Sequence, residues 1–85
     1  MNNNNGTISF EIKKHVGVIK DYPTGWLKEV NIVSWNGSTP KYDIRDWDPD
    51  HERMSRGITL SPEEMGKLVE AVKTREPEVN RFLEN

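Results

Sequence analysis

Two tryptophans, Trp35 and Trp47, and two cations between them, Lys41 and Arg45, are the side chains here best suited to holding a ligand. Polar and apolar residues alternate through Lys41-Tyr42-Asp43-Ile44-Arg45-Asp46-Trp47. That is the period of a strand, whose successive side chains point to opposite faces. Lys41, Asp43, Arg45 and Trp47 therefore share one side, and Tyr42 and Ile44 share the other. Parity along the preceding apolar run sets Asn31, Val33 and Trp35 against Val30 and Ile32. If Val30, Ile32 and Ile44 turn to the core, Trp35 is displayed beside Arg45 and Trp47. Rings beside guanidinium groups on an open sheet suit single-stranded nucleic acid. Bases stack on the rings for about 1 to 3 kcal/mol each, and the cations hold phosphates. The competing reading of the same tryptophans is plain burial in a core or a dimer interface, because tryptophan is usually well covered.

Other chemistry is thin. Asp46, Asp48 and Asp50 alternate like the start of a calcium loop. Such a loop needs Gly at its sixth position and Glu at its twelfth, and here His51 and Gly57 stand there. No metal is expected, and Asp48-Pro49 reads as turn chemistry. The two histidines, His15 and His51, lack the spacing to Ser or carboxylate that would suggest a triad. With no Cys and no Gly-rich phosphate loop, neither catalysis nor a cofactor is expected. Lys13, Lys14 and Lys20 read as a solvated rim rather than a phosphate track.

The elements that must position these residues follow from the same periodicities. Residues 7–20 alternate at Ile8, Phe10 and Ile12, and Gly17 marks a bulge or bend. Residues 21–25 are a turn cluster, and residues 26–35 form a second strand. Asn36-Gly37 is a hairpin signal. Residues 41–48 and 56–60 make the third and fourth strands, joined by a polar connection. Ser61-Pro62-Glu63-Glu64 then opens a helix with an N-cap Ser, a Pro at the first helical position and a capping-box Glu. Met65, Leu68, Val69 and Val72 form an apolar stripe along it, and Pro77 ends it near Arg75. The fold class is α+β, a four-stranded antiparallel sheet followed by one C-terminal helix (β-β-β-β-α).

Eighty-five residues make one domain, and a hydrophobic content of 33% leaves its core small. The helix stripe is too apolar for one small sheet to justify, so a homodimer is expected, with Met65, Leu68, Val69 and Val72 at its interface. Residues 1–6 read as a polar leader without signal-peptide character, residues 7–76 as the binding domain, and residues 77–85 as a tail with a further helical turn. No stretch is long and apolar enough to cross a membrane, and a cytoplasmic location is expected. The net charge of −2 does not itself point to nucleic acid. Stacking must contribute beside phosphate contacts.

Residues 41–60 resemble a known family. Lys41-Tyr42-Asp43-Ile44-Arg45-Asp46-Trp47, then Asp48-Pro49-Asp50, then Ser55-Arg56-Gly57-Ile58-Thr59-Leu60-Ser61-Pro62-Glu63-Glu64 is similar to the strand–loop–strand–helix of the positive cofactor four family (transcriptional coactivator p15). The Gly25-Trp26 and Val33-Ser34-Trp35-Asn36 segments resemble its bacterial YdbC-like branch. The resemblance runs from about Phe10 to Val72. It implies a homodimer whose curved sheets bind single-stranded DNA, or RNA in some relatives, with little sequence preference, in transcription, replication or repair. Carried over by position, it implies contacts from Lys28, Trp35, Arg45, Trp47 and Arg56, and Lys41 and Arg53 are further candidate contacts of the same surface. Asn36 stands where the family has a lysine. The alternative is a dimeric protein-interaction module that binds no nucleic acid.

Overall fold

A computed structural model describes residues 8–75. The expected leader 1–6 and tail 77–85 lie outside them. Strands β1 (Phe10–Asp21), β2 (Leu27–Trp35), β3 (Lys41–Trp47) and β4 (Met54–Leu60) precede helix α1 (Pro62–Arg75). The strands pair in chain order as one antiparallel sheet with β1 and β4 at its edges. The β-β-β-β-α order expected from the sequence is the order found.

Local chemistry sets the joints. Asn36 and Gly37 both have positive φ, 50° and 76°, the left-handed pair that Asn-Gly adopts at least cost. Ser38 N–H closes the turn on the Trp35 carbonyl at 2.8 Å. Asn36 also ties down the start of β1: its Oδ1 accepts from Ser9 N–H at 3.0 Å, and its own N–H donates to the Ser9 carbonyl at 2.8 Å. At α1 the capping box is complete. Ser61 N–H donates to Glu64 Oε1 at 2.8 Å, and Glu64 N–H to Ser61 Oγ at 3.1 Å.

Register shows that the sheet is curled. Phe10 is paired with Trp35 at one end of β2, and Trp47 with Leu27 at the other. On a flat sheet those positions would stand about 26 Å apart, at 3.3 Å per residue. The Phe10 and Trp47 rings nevertheless lie 5.1 Å apart. The face carrying them is therefore concave. Three register shifts in β1, between Ile12 and Lys14, His15 and Gly17, and Val18 and Lys20, supply local bends of the kind bulges produce.

Curvature decides where the core lies. Cross-strand pairing puts Glu29, Asn31, Val33, Asp43 and Trp47 on the concave face, and all five are buried. Covering one tryptophan removes about 150–250 Å² from water, about 4 to 6 kcal/mol at 25 cal/mol per Å². Val30, Ile32 and Ile44 lie on the convex face and are only half-buried, while Ile58 beside them is 52% exposed. The expectation that this aliphatic face forms the core, with Trp47 on display opposite, is corrected. Side chains converge on a concave surface and splay on a convex one, so the ring-bearing face closes first. Helix α1 touches only β3 and β4 and buries no residue of its own. In its stripe Leu68 and Val69 are 43% and 45% exposed, and Met65 and Val72 are half-buried.

Candidate nucleic-acid interface

A chain of rings crosses the concave face. Trp35 lies 5.8 Å from Phe10, Phe10 lies 5.1 Å from Trp47, and Trp47 lies 5.6 Å from His51. Trp47 is fully buried, whereas Phe10, Trp35 and His51 are partly exposed. Trp47 is thus the pillar beneath the cluster, and the other three rings present its accessible surface. Neither indole N–H finds an acceptor among the described residues.

Arg45 is held, not displayed. Its Nε and Nη2 donate to the two oxygens of Asp43 at 2.6 and 2.8 Å, and its Nη1 to the Ser55 carbonyl at 3.3 Å. Asp43 is fully buried and also accepts from Thr59 Oγ1 at 3.0 Å. The guanidinium carbon sits 4.6 Å from the centroid of the Trp35 ring, within cation–π range. Arg45 therefore fixes Trp35 through its plane and has its charge matched by Asp43. Gly57 makes room for this. A Cβ there would come within 2.4 Å of both Arg45 Cβ and the Ile44 carbonyl, so the glycine after Arg56 is a steric requirement.

The other basic positions divide. Lys41 pairs with Val33 on the concave side and is exposed. Arg53, in the connection before β4, and Arg56, in the irregularity where β4 slips against β3, are also exposed. Lys28 is not brought to this face. It pairs with Lys20 and Asp46 on the convex side, and its Nζ lies 3.1 Å from Asp46 Oδ1. Hydrogen bonding to Asp46 and Tyr22 raises its pKa above the ordinary lysine value.

The concave face also holds a polar group that sequence spacing did not reveal. Asn31 Nδ2 donates to Glu29 Oε1 at 2.9 Å, His15 Nδ1 meets Asn31 Oδ1 at 2.8 Å, and His51 Nε2 lies 3.0 Å from both Glu29 oxygens. Ile12, His15, Glu29, Asn31 and His51 line an open hollow of about 300 Å³. His51 sits at φ 58° in a turn that its N–H closes on the Asp48 carbonyl at 3.0 Å. Asp48 braces that turn by accepting from Glu52 and Arg53 N–H at 2.8 and 3.1 Å. The bond from Arg53, then that from Glu52, holds its carboxyl below the usual aspartate range. Among the described residues no cluster of three or more His, Cys, Asp or Glu could hold a metal ion.

Two comparisons bear on this surface. The chain is 38% identical over 64 residues to an uncharacterized protein of Treponema pallidum (strain Nichols), an alignment covering 75% of each chain. A family model described as Transcriptional Coactivator p15 (PC4) matches residues 22–71, from the turn after β1 through most of α1. With strand order, capping and the Asp43–Arg45–Gly57 arrangement in place, the chain belongs to the transcriptional coactivator p15 (PC4) family.

Proposed function

We propose that the protein binds single-stranded nucleic acid, DNA with RNA as a second substrate, without sequence preference, and that it does no catalysis. The observation that carries this reading is the ring chain Trp35–Phe10–Trp47–His51 on a concave sheet. Stacking on the exposed faces of Phe10 and Trp35 tolerates every base, because every base has a π-face. Lys41, Arg53 and Arg56 supply phosphate contacts, and Arg45 and Trp47 hold the platform. Duplex binds more weakly, since its bases are not free to stack. A gel shift with labelled oligo-dT at moderate salt tests the reading. A retarded band competed by single strands and not by duplex is expected, and no shift at micromolar protein would favour a protein-interaction module.

The working unit in this reading is a homodimer. The half-exposed aliphatic face and the Leu68–Val69 stripe support it, since an isologous pairing covers both at once. Light scattering should return twice the 9.9 kDa of the chain. A value near 9.9 kDa at micromolar concentration would defeat it.

A further inference from the structure

Glu29 is a buried carboxylate, 2% exposed, whose polar partners among the described residues are Asn31, His15 and His51. Arg45 pairs with Glu29 in register but spends its guanidinium on Asp43. A buried charge left uncompensated is costly, and the two imidazoles are the groups placed to offset it. The hydrogen bonds fix their tautomers. A carboxylate only accepts, so the amide nitrogen of Asn31 faces Glu29 and its oxygen faces His15, which makes His15 Nδ1 a donor. His51 likewise donates from Nε2 to Glu29. The remaining nitrogens, His15 Nε2 and His51 Nδ1, make no hydrogen bond to these partners. The side chains that carry them are 52% and 38% exposed.

We propose that His15 and His51 form a proton-linked phosphate site, in which a backbone phosphodiester of the bound strand lies in the hollow between them. When both rings are protonated, His15 Nε2 and His51 Nδ1 donate to the phosphate while Glu29 balances the inner side. Binding then takes up protons from solvent, one at each ring that is neutral beforehand. This supplies positive charge on a concave face whose central cation, Arg45, is already matched. Among the described residues, the charged groups beside the pair include Lys13, ion-paired with Glu11 at 3.2 Å, and Lys14 in β1, Asp43 opposite Asn31 in β3, matched by Arg45, and Asp48, Asp50, Glu52 and Arg53 around the His51 turn. As side-chain classes, carboxylates titrate mainly below about pH 5 and imidazoles between about pH 5 and 8.

This site rests on the single-strand reading above, and its test separates the two. Anisotropy titrations with labelled oligo-dT at constant ionic strength compare the wild type with His15→Gln/His51→Gln at about pH 8 and about pH 6. Gln keeps a donor toward Asn31 or Glu29 but takes up no proton. Affinity of the wild type should rise at least tenfold over this interval, since each proton taken up contributes up to about tenfold per pH unit. The double variant should stay nearly flat, which also controls for the terminal amine. Calorimetry of the wild type in two buffers of different ionisation enthalpy should show proton uptake without any mutation. A double variant as steep as the wild type, or a flat wild type with no uptake, overturns the phosphate site and leaves single-strand binding intact. Oligo-dT that fails to bind at any pH overturns both.

Discussion

The two faces of the sheet contrast in a way that residue type alone would invert. The convex face and the helix that follows it carry Val30, Ile32, Ile44, Ile58, Leu68 and Val69, and none of these is buried. The concave face carries Glu29, Asn31 and Asp43 beside Val33 and Trp47, and all five are buried. Curvature produces the difference. A curled sheet draws side chains together on one side, where rings fill the space and charges must pair, as Asp43 does with Arg45. On the other side they diverge, and among the described residues Val30, Ile32, Ile44 and Ile58 stay partly exposed. One face is a finished, preorganised surface. The other stays open in the single chain, and it is the surface that the proposed homodimer would cover.

Substitutions that break this contrast should differ in kind as well as size. Trp47→Ala removes the pillar of the concave core and should cost about 3 to 5 kcal/mol, a large share of what a small domain has. Trp35→Ala removes an outer ring, so oligo-dT affinity should fall by the worth of one stack, about 1 to 3 kcal/mol, with a smaller loss of stability. Denaturant melts and anisotropy on both variants check the pair. Equal stability losses would erase the distinction between pillar and platform.

Arg45→Ala comes next. It strands Asp43 at 0% exposure with Thr59 as its remaining side-chain partner, and leaving one member of a buried pair costs about 3 to 5 kcal/mol. Arg45→Lys should rescue little, because an ammonium cannot reproduce the two-oxygen fork. Chemical denaturation measures both. If Arg45→Ala stays native and loses only salt-dependent affinity, Arg45 is a phosphate contact after all.

Leu68→Lys probes the exposed stripe of α1. Leu68 is 43% exposed in the single chain, so the fold of one chain should persist by circular dichroism while light scattering falls to 9.9 kDa. An unchanged dimer would place the interface elsewhere.

Much of this was legible in the sequence, and the losses have physical causes. Asn36-Gly37 marked the β2–β3 hairpin and Ser61 to Glu64 the helix start, because turn and cap chemistry are local. The parity that groups Trp35, Arg45 and Trp47 also held, since β2 and β3 pair without a slip. In β1, parity failed. Counting by twos from Phe10 and Ile12 puts His15 on the opposite face, but the shift between Ile12 and Lys14 returns it to theirs, opposite Asn31. That slip hid the meeting of His15 with His51 around Glu29. Gly17 hinted at one irregularity, and nothing in composition signalled three. Burial of Trp47 was illegible for another reason. It depends on curl, which brings Phe10 of β1 onto a ring paired at the far end of β2.

The smallest expected effect lies at the turn that carries His51. Asp48 accepts backbone N–H bonds from Arg53 and Glu52, and these hold its carboxyl below the ordinary value of 3.8. A carboxyl depressed in the folded state stabilises the fold above its unfolded pKa, and that contribution is lost as pH falls through the folded one. Asp48→Asn keeps an acceptor for both N–H groups but removes the charge. The wild type should therefore melt slightly above Asp48→Asn at neutral pH, and the gap should close as pH drops below 3.8. Through the His51 N–H bond to the Asp48 carbonyl, the turn also positions one wall of the hollow. Thermal melts across that acid range give the first quantity, and oligo-dT affinity at about pH 6, where histidine charge matters most, gives the second. A gap that persists unchanged in acid would show that Asp48 acts through turn geometry alone, with no contribution from its charge.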